Sequence, residues 1–126
     1  MTFKTLVLIM CGGGLGAVGR YGVGLLTMRF WGHLFPWGTM LVNLAGCFLA
    51  GLLYGLAERA RWITPELRLL LITGFLGAFT TFSAFALETV NTARAGLLQQ
   101  SLTNILINTL GGIALAFLGL WLARLQ

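Results

Sequence analysis

Thr73-Gly74-Phe75-Leu76-Gly77-Ala78-Phe79-Thr80-Thr81-Phe82-Ser83-Ala84-Phe85 sits inside an apolar run from Glu66 to Asn91. A helix that crosses a bilayer needs about 20 mostly apolar residues, so this run is long enough to span. Two glycines followed by two threonines predict a break near the middle of that helix. Unwound backbone at membrane depth is tolerated only where protein or a cavity covers it. Carbonyls freed by such a break are hard oxygen ligands for a cation such as Na⁺. Phe75, Phe79 and Phe82 follow helical spacing, as do Phe82 and Phe85. An aromatic stripe is usually core packing. The edge of a Phe ring is electropositive, however, and ring edges can face a small anion where ring faces cannot.

Three more apolar runs of spanning length flank this one: Phe3–Phe30, Gly38–Ala57 and Leu97–Leu122. The fold class predicted is therefore an all-α membrane protein of four transmembrane helices, in one domain over residues 1–126. The composition agrees. Of the 126 residues, 58% are hydrophobic and 9% charged, against roughly 25% charged in a soluble domain. There are too few charges to cover a water-facing surface. The first run has an apolar centre, but its glycine-rich continuation passes Arg20 and Tyr21 into another apolar stretch. That reads as a retained helix, not a cleaved signal segment.

A net charge of +5 would point to nucleic acid in a soluble protein. Here Lys and Arg gather at the predicted helix ends, where they meet lipid headgroups, so nucleic-acid binding is rejected. Lys4, Arg59, Arg61, Arg68 and Arg124 fall on the side of the termini and middle loop, and Arg29 and Arg94 on the other. This modest bias favours cytoplasmic termini. Cys11 and Cys47 read as small buried hydrophobes, His33 as a solvated loop residue, and no Cys/His cluster has metal-ligand spacing.

A polar side chain at membrane depth is costly unless satisfied, so each is a functional candidate. Arg20 follows Gly16 by one turn on a face of small residues. It reads either as a cationic vestibule residue that attracts anions, or as one that snorkels to the interface or pairs with Glu88. Thr39 and Asn43 share a helix face, and the Asn43 amide offers two N–H donors. Donors suit an anion, and an interhelical hydrogen bond is the plainer alternative. Glu88 is the only acid well inside an apolar run, and a structural role is favoured for it. In the last run, Ser101, Asn104, Asn108 and Gly112 recur on one face. That stripe suits a polar track for an anion or a hydrogen-bonded dimer seam, and a pore wall can be both. Gly12-Gly13-Gly14-Leu15-Gly16, the Gly51/Gly55 pair and Gly112/Ala116 read as helix-packing faces. One bundle of this size has little room for a polar path lined on all sides, so an oligomer is expected, with a symmetric dimer as the default.

Together these residues resemble the fluoride-specific channel family known as Fluc or CrcB. The resemblance rests on Gly16-Ala17-Val18-Gly19-Arg20-Tyr21, on Pro36-Trp37-Gly38-Thr39-Met40-Leu41-Val42-Asn43-Leu44-Ala45-Gly46, and on Thr73-Gly74-Phe75-Leu76-Gly77 through Thr80-Thr81-Phe82-Ser83-Ala84-Phe85 to Glu88. It implies passive, selective export of F⁻ across the cell (inner) membrane, with no catalytic residue. It also implies an antiparallel, dual-topology homodimer with two pores, each lined by both subunits. A structural, untransported Na⁺ would be held by the Gly77 and Thr80 carbonyls of both subunits. The fluoride path would carry Asn43, Phe82, Phe85, Ser83 and Arg20, with Thr39, Asn104 and Asn108 as a possible polar track. Ala84, Ala86 and Gly112 depart from the family by lacking a hydroxyl, and Asn104 by lacking a phenol.

Two other classes compete. A small multidrug exporter needs an acid in its first helix, and this one has Arg20 instead. A purely structural subunit leaves the polar residues on three helices unexplained. An enzyme would need a nucleophile–base pair, a metal cluster or a phosphate loop, and none is legible.

Overall fold

The computed structural model describes residues 2–59 and 63–125. Arg61, counted above in the charge bias, lies outside the described residues. The described chain is all helix and turn. Four segments are long and apolar enough to cross a membrane: α1 (Phe3–Trp31), α2 (Trp37–Arg59), α3 (Pro65–Arg94) and α4 (Leu98–Arg124). Each matches a predicted run to within about one turn. Gly32 and Gly96, both at positive φ, end α1 and α3 in a conformation that side chains with a Cβ resist.

The break in α3 is real and sits on the threonines. Thr80 (φ -84°, ψ 158°) and Thr81 (φ -155°, ψ 119°) are both extended. Helix resumes at Phe82, with Thr81 as its N-cap: the Thr81 hydroxyl accepts from Ala84 N–H at 3.3 Å, which satisfies one of the orphan donors of a helix start. Gly74 and Gly77, expected to share in the break, are helical. The turns from Leu69 to Leu76 are widened to π-helix, as are those from Ile107 to Gly111 in α4. Neither widening was legible in the sequence pattern.

Small residues let backbones meet, as the glycine pattern predicts. A Cβ on Gly12 would collide with the Leu70 carbonyl, and one on Gly16 with the Phe75 carbonyl. The first half of α3 therefore lies directly on α1. Along α2, Gly51 meets Ala116 and Gly55 meets Ala123 of α4, and these two helices make the most extensive contact in the chain. The glycine faces are thus spent on packing inside one chain.

Few large apolar side chains are buried. The core holds Met40, Val42, Ile63, Leu76 and Ala123, together with the polar Thr27, Ser101 and Asn104. Large apolar residues such as Phe3, Met10, Val18, Phe30, Phe117 and Trp121 face outward, which is the distribution suited to lipid. Trp31, Phe35 and Trp37 cluster around the α1–α2 connection, a composition typical of a membrane interface.

A single added methyl tests the α1–α3 contact. Gly16→Ala is expected to destabilise by about 1–3 kcal/mol, because the Cβ would strike backbone. Gly14→Ala, whose Cβ meets nothing within 4 Å, is expected to be neutral. Thermal unfolding of the two variants in detergent, followed by size-exclusion chromatography, checks the contrast.

Candidate functional site

The site grows from one side chain, Asn43 of α2. Its Oδ1 accepts from the Thr81 backbone N–H at 2.8 Å, and its Nδ2 donates to the Thr81 carbonyl at 3.1 Å. The amide thus imitates a neighbouring backbone and pairs with both polar groups of Thr81. In an unbroken helix the Thr81 N–H would bond to the carbonyl of Gly77, four residues back. Asn43 takes that donor, so the Gly77 carbonyl loses its usual partner. The same happens one turn later. Ala84 N–H would close onto the Thr80 carbonyl, but it goes to the Thr81 hydroxyl. Thr80 itself turns back, with both its N–H and its hydroxyl donating to the Leu76 carbonyl at 3.1 and 3.0 Å. Gly77 and Thr80, whose carbonyls the resemblance implies for a cation, are thus among the residues whose helical donors are diverted at the break.

Gly46 makes room for this geometry. A Cβ there would collide with the Thr80 methyl. The glycine lies one turn along α2 from Asn43, so one short stretch of α2 both admits the break and binds it.

The second N–H of Asn43 donates to Asn108 Oδ1 at 3.0 Å. Asn108 Nδ2 donates to the Asn104 carbonyl at 3.1 Å and to Asn104 Oδ1 at 2.8 Å. Asn108 lies in the widened turn of α4, where its side chain competes for the carbonyl four residues back. Asn104 is 1% exposed and donates to Thr89 Oγ1 at 2.9 Å. Ser101 Oγ donates to the Thr89 carbonyl at 2.9 Å. The polar stripe of α4 is thus largely a hydrogen-bonded seam within one chain. Sequence reasoning missed Thr89 altogether. A threonine four residues after Phe85 gives no local sign that it will accept from another helix.

Phe82 and Phe85 lie just beyond the break with ring centroids 5.5 Å apart and planes tilted by 57°. Phe82 is 78% exposed. The predicted stripe does not continue through the break. Phe75 and Phe79 stack on each other before it, centroids 5.3 Å apart, and Phe79 packs beside Gly19 of α1. The extended Thr80–Thr81 link resets the helical phase, so Phe82 leaves the face that Phe79 occupies.

Asn43, Gly77, Thr80, Phe82, Phe85 and Asn108 line one open groove of about 520 Å³. Ser83 is exposed at its side of the break, its hydroxyl 3.2 Å from that of Thr81. A second cavity of about 330 Å³ near the α1–α2 connection is lined by Arg20, His33, Thr39 and Glu88, among others. The structure therefore parts Thr39 from Asn43 despite their shared helix face. Thr39 Oγ1 donates to Glu88 Oε1 at 2.7 Å, and Glu88 Oε2 is buried with no hydrogen-bond partner. The alternative of an Arg20–Glu88 ion pair is not what the structure holds. The two share a cavity without bridging, and the ion pair found among the described residues is Lys4–Glu66 at 3.0 Å. Also among the described residues, no three His, Cys, Asp or Glu side chains gather as a metal site.

Residues 7–120 match the family model described as CrcB-like protein, Camphor Resistance (CrcB). Similar proteins include one named fluoride-specific ion channel FluC from Agrobacterium fabrum, 46% identical over 94% of this chain and 95% of that protein. Another of that name, from Chlorobium phaeobacteroides, is 43% identical over 98% of this chain and 95% of its own. A third, from Dehalococcoides mccartyi, is 42% identical over 95% and 92% respectively.

Replacing the amide that binds the break should be costly. Asn43→Leu strands the Thr81 N–H, the Thr81 carbonyl and Asn108 Oδ1, and each buried polar group left unpaired costs about 1–3 kcal/mol. A loss of roughly 3 kcal/mol or more is expected, read as a lowered midpoint in denaturing-detergent titration.

Proposed function

This chain belongs to the CrcB family, and from that membership we propose that it is a fluoride-specific channel carrying F⁻ passively across a membrane. It is a multi-pass membrane protein, and its similar proteins are named as ion channels, not enzymes. The observation that carries the reading is the groove in which Asn43, the broken α3 and the Phe82/Phe85 pair meet.

The chemistry of that wall suits a small, strongly hydrated anion. Fluoride gives up water only where other donors replace it. Asn43 lines the groove, and its N–H groups, now donated to Thr81 and Asn108, can be shared between those acceptors and an ion. The exposed Ser83 hydroxyl and the electropositive ring edges of Phe82 and Phe85 supply further weak contacts. Weak sites in series allow an ion to leave as readily as it enters. Arg20, lining the second cavity with no ion-pair partner among the described residues, draws anions toward the path. Asn104 and Asn108 are engaged with each other and with Thr89 and Asn43, and Thr39 is engaged with Glu88 in the second cavity, so all three support rather than offer free donors.

The functional unit proposed is an antiparallel, dual-topology homodimer. A 78% exposed Phe82 beside an open groove leaves one wall of the path to be supplied, and a second copy inserted in the opposite orientation would supply it. The Gly77 and Thr80 carbonyls fit a hard cation, since their helical donors are diverted and carbonyl oxygens are the ligands Na⁺ takes in broken membrane helices. Those two residues from both subunits would hold a structural Na⁺, whose positive charge would offset the partial negative charge of carbonyls left without their helical donors. The direction proposed is export. Fluoride enters acidified cells as HF and dissociates inside, and a negative interior drives the anion out. A multidrug exporter is not favoured, since α1 has no acid to exchange protons.

Purified protein in liposomes should release F⁻ rapidly and Cl⁻ slowly in Na⁺ buffer. Asn43→Ser and Phe82→Ile should each slow F⁻ efflux while leaving the dimer intact. Efflux of neither anion from folded, dimeric protein would reject the channel reading, and unaltered F⁻ flux in both variants would reject the pore assignment.

A further inference from the structure

We propose that Thr89 is a positioning residue for the ion path: through Asn104 and Asn108 it anchors the far end of an amide relay that ends at Asn43, where the Thr81 backbone holds the other end. This inference rests on the channel reading for its functional consequence, but the relay itself is a matter of hydrogen-bond order.

The relay has one direction. Thr89 Oγ1 donates its proton to the Phe85 carbonyl at 2.7 Å. Its oxygen is left with lone pairs only, so the next member must donate to it, and Asn104 Nδ2 does, at 2.9 Å. Asn104 therefore turns its oxygen toward Asn108, which must present Nδ2, at 2.8 Å. That leaves Asn108 Oδ1 for Asn43, which must present Nδ2, at 3.0 Å. Asn43 then has its oxygen free for the Thr81 N–H, at 2.8 Å. Each amide has one donor end and one acceptor end, so a reversal at any member puts donor against donor at the next.

The consequence for an anion is direct. The Asn43–Asn108 junction lies on the groove wall. In this order Asn43 Nδ2 donates to Asn108 Oδ1, and loss of the anchor at Thr89 loosens the hold on that donor. The relay begins on the Phe85 carbonyl, so the same chain of bonds ties the second half of α3 to the amide that binds the break. The Phe pair and the Asn43 donor are thereby held in register although they sit on different helices. Thr89 is suited to its place because a hydroxyl on a helix returns its proton to the carbonyl four residues back, which fixes it as an acceptor. Valine has nearly the same shape and no acceptor.

The test compares Thr89→Val with Thr89→Ser in dimers of unchanged elution volume. Asparagine side chains labelled with ¹⁵N report the relay directly by NMR, whether or not the protein carries fluoride. In Thr89→Val the Asn43 side-chain amide resonances should shift, three bonds away from the change, and in Thr89→Ser they should return toward wild type. In liposomes Thr89→Val should slow F⁻ efflux on the order of fivefold, the worth of about one hydrogen bond. Adding Thr89→Val to Asn43→Ser should bring no further loss. Unmoved Asn43 resonances in folded Thr89→Val, or losses that multiply in the double variant, would overturn the relay. Absence of F⁻ efflux from wild type would reject the channel reading alone, since the resonance arm still decides the relay. If Thr89→Val does not fold, hydrogen exchange in the wild type decides. The Asn104 and Asn108 side-chain amides should exchange far more slowly than free amides, and exchange at the free rate would overturn the proposal.

Discussion

The structure turns on the pairing of one side-chain amide with one peptide unit. Asn43 binds both the N–H and the carbonyl of Thr81, and so gives an interrupted helix what its own backbone no longer supplies. In water a break of this kind would be solvated at little cost. In hydrocarbon each unsatisfied backbone group costs several kcal/mol, and a break persists only when another element satisfies it. Everything near the break follows from that need. Gly46 clears space for Thr80, Thr81 caps the helix that resumes, and Thr80 folds its own donors back onto Leu76.

The same constraint explains why the core is built from small and polar residues. Between membrane helices there is no hydrophobic drive to hold apolar side chains together, because lipid is as apolar as they are. Cohesion comes from close backbone approach and from hydrogen bonds. Gly12, Gly16 and Gly51 supply the first. The seam through Asn43, Asn108, Asn104 and Thr89 supplies the second. A side chain such as Asn104, 1% exposed, would be a liability if any of its neighbours were apolar, and it is stable because its polar ends are matched.

In the proposed channel, function and stability draw on the same residues. The residue that holds the break also lines the groove, and the break that diverts donors from Gly77 and Thr80 also separates Phe82 from the packed stack of Phe75 and Phe79. A continuous helix would keep all four rings on adjoining faces and leave the carbonyls saturated. In the proposed channel the interruption therefore does two jobs: it turns rings toward the groove, and it leaves two oxygens able to meet a cation. Proteins 46% and 43% identical over nearly the whole chain are named fluoride-specific ion channels.

The sequence by itself determined the four spans, the place of the break and the glycine faces, because each depends on local quantities: run length, propensity and the spacing of small residues. It also marked Asn43, Phe82 and Phe85 as polar or aromatic residues in costly positions. It did not determine which face of the α4 stripe would meet which helix, and so left Asn104 and Asn108 open between a track and a dimer seam, whereas their hydrogen bonds are made within one chain. Only the tertiary structure decided that Thr89 anchors that seam, that Arg20 and Glu88 share a cavity without pairing, and that the Phe stripe divides at Thr80. Those outcomes depend on the phase of one helix relative to another after a break, and two extended residues change that phase by an amount no periodic pattern encodes.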